Sequence, residues 1–509
     1  MEKRLILAIA LSLFIIISWS ALTNKFYPVE NKAVMQQASV PVLTNTQLSP
    51  TKAASFYSEE AVKPESLFTL PLKQWKVIFI EPRAAVKETI FSSYLSYVFS
   101  LKYGFLLGDP GLIFKKTADS ENGVQFICED SQKRIIKEFT FSNSSYAIGL
   151  TIRIDNLSDK PMDINLPLVV GVLDFKRDPV QARYQDVVVA LPEKTLRLNG
   201  KKDESFNSIK FVGLRDRYIC LIVEPQSAGW SGFIKKINNS ESELGLVNNV
   251  PPLAPGQIKQ YNFRIYLGPQ DLKHINLVKS EWAAMVNYGV FDFIAQVILQ
   301  ILEILYSIVH NWGWAIIILS ILIYLLLFPL TLKQMRSMKN MQALQPEIEE
   351  LRKAYKNNPQ KLNKEIMELY RKNKANPLAG CLPLILQMPI FIALYQVLMR
   401  SASLKGATFL WIKDLSGPDR LFLLPFSIPI LGNELNILPI LMAIGMFVQQ
   451  RFSMVATAGS SAEQQKMMMI LMPLMFGFIF YHMPAGLVLY WFVNSLFMLS
   501  YQIHMNRIK

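Results

Sequence analysis

The chain has 509 residues, of which 51% are hydrophobic, with a mean hydropathy of +0.24 and a formal net charge of +14. Those values exclude an ordinary soluble globular protein and point to several membrane spans attached to a less apolar part, with room for two or three domains. The positive balance suits contact with anionic lipid or RNA, and in a membrane protein the placement of the charges says more than their sum.

The first residues, MEKR, precede LILAIALSLFIIISWSAL, an apolar-rich run of 18 residues that is long enough to cross a bilayer core. No Ala-x-Ala site follows it, so it reads as an uncleaved anchor over 1–22 with Lys3 and Arg4 on the cytoplasmic side. Residues 29–66 are rich in Ser, Thr, Ala, Pro and Gln without a helical period, which describes a linker over 23–66.

Strand patterns then take over. Ile148, Leu150, Ile152 and Ile154 alternate with smaller or polar residues, as do Tyr261, Phe263, Ile265 and Leu267. Turn signals at Asn199-Gly200 and Pro251-Pro252 separate such runs. The expected fold of 67–285 is an all-β sandwich. Cys128 and Cys220 fall within it and can pair or stand as two separate thiols; with Cys381 they form neither CxxC nor a metal-ligand spacing.

In FDFIAQVILQILEILYSIV (291–309) Gln296, Gln300, Glu303 and Ser307 line one face of a helix. A helix lying in the membrane interface over 286–310 fits that stripe. Span two occupies 311–332, and spans three to six with short loops fill 377–509, at about 377–399, 432–450, 467–482 and 486–503. Between them, 333–376 reads as a helical hairpin divided at Pro359, with Ile348, Leu351 and Tyr355 on one helix and Leu362, Ile366 and Leu369 on the other. Its basic residues include Arg352, Lys353, Lys356, Lys361 and Lys364, and the eleven Lys and Arg from Lys333 to Lys374 place it in the cytoplasm. Both termini then fall inside and the β domain outside. Arg400, Lys405, Lys413 and Arg420 fit this topology least well.

Catalytic signatures are missing from the sequence. It contains no GxxxxGK[ST] phosphate loop, no HExxH and no GxSxG elbow, and His274, His310, His482 and His504 are scattered. The expected span interiors also lack Asp, Glu, Lys and Arg, which argues against a proton- or ion-coupled pump. Their polarity is neutral: Ser320 and Tyr324 on span two, Gln387 on span three, and Tyr490, Asn494 and Tyr501 on one face of span six beside Trp491. Each can serve interhelical hydrogen bonding alone; several on different spans favour a shared hydrated cavity. Span three adds Pro377, Pro383 and Pro389. Asn376 can cap its start, whereas the two inner prolines each remove a backbone donor and free a carbonyl, tolerable where protein or water reaches it.

At these residues the chain resembles the YidC membrane protein insertase family, in its Gram-negative form with a large periplasmic domain. The likeness lies in NWGWAIII (311–318), FPLTLKQMRSMKNMQALQPEI (328–348), NPLAGCLPLILQMPIFIALYQVL (376–398), WIKDLSGPD (411–419) and PAGLVLYWFVNS (484–495). It implies a polytopic α-helical membrane protein with six spans, five of them an insertase core, and an outer β-sandwich similar to sugar-binding folds. It implies insertion and folding of newly made inner-membrane proteins through a hydrophilic groove, alone or beside the Sec translocon, with the ribosome meeting the cytoplasmic basic segments. No catalysis, cofactor, metal or small-molecule substrate is implied. Ser320, Gln387, Phe391 and Trp491 match groove or sliding-surface positions, and Tyr324, Tyr490 and Asn494 join them by the polar pattern. The family commonly has an arginine where Tyr324 stands, so the groove's usual fixed positive charge is expected to be missing. Two other functions would use the same features: a solute channel would pass solutes without nascent protein, and a membrane-anchored sugar-modifying enzyme would lose activity with the β domain.

Overall fold

The computed structural model describes residues 66–175, 181–356, 358–373, 382–429, 431–453 and 462–507. The expected anchor over 1–22, the linker up to residue 65, Cys381 and the helix start at Asn376 and Pro377 lie outside them.

Strands from Leu67 to Pro269 build a four-stranded, a five-stranded and a nine-stranded sheet. The period-two runs are neighbours at the centre of the largest sheet. Ala147–Asn156 pairs antiparallel with Ile258–Pro269, placing Leu150 opposite Phe263 and Ile148 opposite Ile265. Alternation buries one face of Ile148–Ile154 and of Tyr261–Ile265, the C-terminal ends of both strands are buried on both faces, and the aliphatic and aromatic side chains of the facing sheets close over them. Lys137 is a fully buried charged residue inside this core. Its ammonium donates to Ala84 O at 2.5 Å and Phe105 O at 2.6 Å, tying a turn to a loop, and burial pushes it down to about 7. Cys128 and Cys220 are buried, separate thiols.

Among the described residues, a five-residue helix at Leu272–Asn276 is followed by eight longer ones: α1 (Asp292–Val309), α2 (Trp312–Ala343), α3 (Gln345–Ala354), α4 (Pro359–Lys372), α5 (Leu382–Arg400), α6 (Ile437–Ser453), α7 (Ala462–Phe480) and α8 (Ala485–Arg507). Among the described residues, three helical stretches are long and apolar enough to cross a membrane: Asp292–Val309, Trp312–Leu332 and Ala485–His504; Ile437–Arg451 and Met469–Phe480 are shorter apolar helices. Helix α5 stays helical across Pro389. The α3–α4 hairpin has a core of its own, in which Ile348 and Ile366 meet Tyr370 and, from the end of α2 and the turn after it, Met341 and Leu344. Asn358 caps α4 by accepting from Lys361 N at 3.1 Å.

One expected boundary is corrected. Residues 432–435 do not open a span; Gly432–Leu435 is a strand that pairs with Phe422–Ile428 in a hairpin. Gly432 turns the chain at φ +77°, and the next helix starts only where Asp419 Oδ2 accepts from Ile437 N at 2.9 Å and Leu438 N at 2.8 Å. The helix expected at 467–482 runs instead from Ala462 to Phe480.

The β domain is joined to the helices by a polar seam. Arg217 donates to Met399 O at 2.7 Å and Ser416 O at 2.8 Å, Tyr218 OH to Ser416 Oγ at 3.1 Å, and Arg400 to Asn287 O at 2.9 Å. Behind them Asp216 is buried. It accepts from Tyr218 N, Ile219 N and Tyr97 OH, yet burial of the charge outweighs these bonds and pushes it up to about 6. With the folded value above the ordinary 3.8, its contribution to stability is complete below that pH and is lost as pH rises through about 6. Between about pH 4 and 7 the wild type should therefore lose stability relative to Asp216→Asn by about 2–3 kcal/mol. Calorimetric melts of both proteins across that range check this; parallel pH profiles would contradict it.

Candidate substrate groove

The two ends of the helix bundle differ. At one end, Ala315, Ile316 and Leu319 of α2, Ala393, Leu394, Val397 and Leu398 of α5, and Leu487 and Val488 of α8 are almost fully buried. The loop between α5 and the strand hairpin plugs them with Leu404, Phe409, Ile412 and Leu415. A Cβ on Gly313 would lie 2.1 Å from the Phe409 ring, so this plug demands glycine there, and one on Gly486 would make tight contacts at 3.1 Å from Ile316 and 3.2 Å from Leu415 O. Backbone bonds from Ala485 N to Gly417 O at 2.6 Å and Gly486 N to Leu415 O at 3.0 Å complete the seal.

Asp414 organises the plug. Its carboxylate accepts from Lys405 Nζ at 3.0 Å, Gly406 N at 3.1 Å, and Ser416 N and Oγ at 2.9 and 2.7 Å. Burial alone would raise its pKa, but these donors hold it below the usual carboxylate value.

Towards the end bearing the α3–α4 hairpin the packing opens into a cavity of about 240 Å³. Its walls are Ile323, Tyr324, Leu327, Leu330 and Thr331 of α2, Gln387, Met388 and Phe391 of α5, Gln449 of α6, and Trp491, Asn494, Ser495 and Met498 of α8. No charged side chain is among them. Gln387 Nε2 donates to Tyr490 OH at 3.0 Å, and Asn494 Nδ2 reaches the same oxygen at 3.5 Å. On the other flank Trp491 meets Phe391, Phe476 and Phe480 with centroids 5.2, 5.8 and 5.4 Å away, so an aromatic wall runs across α5, α7 and α8. The exposed side of α7 carries Ile470, Leu474, Phe478 and Ile479.

Of the residues singled out in the sequence, Tyr324, Gln387, Phe391, Trp491 and Asn494 line this one cavity, and Tyr490 supports two of them from behind. The Tyr324 ring stacks on Phe497 at 5.5 Å, and its buried hydroxyl has no hydrogen-bond partner among the described residues. Ser320 is not among the lining residues: it is fully buried one turn away, and its hydroxyl donates to Ile316 O of its own helix at 2.7 Å. Thr331, Gln449 and Ser495 were not foreseen. Thr331 and Ser495 follow Tyr324 and Trp491 at helical spacings of seven and four, which is the signal that could have found them. In the hairpin, Lys353, Lys356, Lys361 and Lys364 are exposed and Arg352 is half-buried. Lys361 lies over the Tyr355 ring at 5.0 Å, and Lys364 is 3.9 Å from Glu368.

The fold and this cavity define a helical membrane protein with an extramembrane β-sandwich and a neutral, half-depth groove. The model described as 60Kd inner membrane protein matches 304–509, and that of the YidC periplasmic domain matches 113–301. The membrane protein insertase YidC of Syntrophobacter fumaroxidans is 35% identical over 76% of this chain and 73% of its own length. Those of Geotalea uraniireducens and Pelobacter propionicus are each 30% identical over 100% of this chain and 99% of theirs. The chain belongs to the YidC membrane protein insertase family, whose members are inner-membrane proteins with a periplasmic domain.

Removing the shared acceptor should be felt by both amides. Tyr490→Phe is expected to destabilise the helical core by about 0.6–1.7 kcal/mol. Combined with Gln387→Leu the two losses should be less than additive, because both substitutions break the same bond. Thermal unfolding of the single and double variants in detergent checks this, and strict additivity would show that the bond contributes nothing.

Proposed function

We propose that this protein inserts newly made proteins into the bacterial inner membrane and assists their folding there, as an insertase rather than an enzyme. It does so alone or beside the Sec translocon, and the ribosome meets the basic hairpin and the other cytoplasmic positive segments. The observation that carries this reading is the asymmetry of the bundle: a neutral polar cavity at the hairpin end, and a plugged, dry end on the side of the β domain.

The proposed topology has six spans with both termini in the cytoplasm: the anchor over 1–22, then α2, α5, α6, α7 and α8. Helix α1 lies in the periplasmic interface. Three of the four positive charges that fit this topology least well have partners in the seam, the plug and the base of the strand hairpin. Arg400 donates to Asn287 O, Lys405 pairs with Asp414, and Arg420 pairs with Glu434 at 2.7 Å, leaving Lys413 exposed.

The physical work needs no fuel. Burying a substrate span of about 20 apolar residues is itself favourable. The cost lies in moving a polar tail across hydrocarbon, and a hydrated groove reaching part-way shortens that path. The tail enters among Tyr324, Gln387, Asn494 and Thr331, while the apolar segment slides along the aromatic wall and the exposed face of α7. Because Tyr324 stands where the family commonly has an arginine, attraction of acidic tails is weak here, and hydrogen bonding and hydration carry the transfer.

Reconstituted into liposomes, the purified protein should protect the translocated tail of a newly synthesised single-span protein from protease without ATP or Sec components. Protection should fall several-fold in Gln387→Leu. Yields equal to empty liposomes would refute autonomous insertion. Deleting the sandwich over 67–270 should leave most of this activity, whereas disrupting α1 should not; loss of insertion on removing the sandwich alone would overturn that assignment.

A further inference from the structure

The hairpin that replaces the expected start of the fourth span is an unusual surface. From Leu421 to Leu431 the sequence reads LFLLPFSIPIL, with Ser427 as its one polar side chain. In a soluble protein such a run would be covered. Here Phe422, Leu423 and Phe426 are 61%, 69% and 62% exposed.

Three features say what covers them. Phe422 and Leu423 are adjacent in a strand, so they point to opposite faces of the ribbon. A protein partner seated on one face would leave the other in water, whereas a surrounding apolar medium covers both. The ribbon is also continuous with the exposed apolar side of α6, where Ile440, Ile444 and Phe447 begin one turn beyond its base. Finally, the base is polar and fixed. Arg420 pairs with Glu434, Asn436 accepts from Arg420 N at 2.9 Å and donates to Tyr481 O at 2.8 Å, and Tyr481 OH donates to Glu434 O at 2.8 Å. A polar collar below an apolar ribbon marks a boundary between water and hydrocarbon.

We infer that the 422–435 hairpin is a lipid-binding element that beds its apolar side chains in the leaflet bordering the start of α6. Its depth is limited by its backbone. A two-stranded ribbon has two open edges, and unpaired N–H and C=O groups do not enter the hydrocarbon centre. Pro425 and Pro429 remove two donors but leave the rest. The ribbon therefore lies in the interface, with Phe422, Leu423 and Phe426 reaching the upper acyl chains. That this leaflet is the periplasmic one rests on the proposed topology.

The test uses the full-length protein with its three cysteines replaced by alanine and a single Phe426→Cys carrying an environment-sensitive dye, reconstituted in phosphatidylcholine and phosphatidylglycerol vesicles. The emission should be blue-shifted and should lose most of its intensity to lipid spin-labelled near the headgroup. It should lose less to lipid spin-labelled near the chain end and none to aqueous iodide. Glu121→Cys, in an exposed turn of the β domain, should show the opposite pattern. Strong quenching by iodide at 426 would overturn the inference, and so would protection from iodide and lipid quenchers alike, since a protein would then cover the ribbon. Repeating the measurement at Leu423→Cys keeps the test open if Phe426→Cys folds poorly. Labelling Glu121→Cys with an impermeant maleimide in intact spheroplasts reports separately on topology: failure there would refute the assigned leaflet, and lipid contact would still be read by the quenchers.

Discussion

An amide on an apolar helix finds its partner inside the protein, and the helical core is arranged around that constraint. Gln387 lies one turn from the aromatic wall and bonds to Tyr490, a residue fixed by the dry packing of α8. The bond joins α5 to α8 at the level where packing gives way to the cavity. On one side of it nearly every residue is buried; on the other, neutral polar groups face open space. The depth of the groove is thus set by where the close packing stops.

The plug explains why the groove has one mouth. Asp414 gathers four donors, Asp419 starts α6, and Gly313 and Gly486 let the loop and the last helix turn approach closely. Arg217 and Tyr218 then hold the β domain against the same loop. The sandwich thereby braces the sealed end without contributing a side chain to the cavity walls.

Much of this was legible in the sequence because it rests on short-range periodicity. Period-two runs located the central strands, and the heptad-like apolar positions at Ile348, Leu351, Leu362, Ile366 and Leu369 located the hairpin core. Helical spacing grouped Tyr324, Gln387, Tyr490 and Asn494 once neighbouring spans were assumed to meet. What was missed depends on partners distant in sequence or on competing local bonds. Ser320 has the right position for a groove residue, but its own helix supplies an acceptor at Ile316. The partners of Arg400, Lys405 and Arg420, which are Asn287, Asp414 and Glu434, left no signal in the local pattern. The 422–435 ribbon was hidden because Phe422–Ile428 lacks a period-two alternation and its second strand, Gly432–Leu435, fell within the expected fourth span.

The central claim is that the cavity beneath Tyr490 is hydrated and opens only to the cytoplasm. Single cysteines placed at Thr331, Gln387, Asn494 and Ser320, in membrane vesicles of defined orientation, test it most directly. Impermeant maleimide should react from the cytoplasmic face with the first three, fastest at 331, and should leave Ser320→Cys unmodified; reaction from the periplasmic face, or none at 387 and 494, would contradict the account.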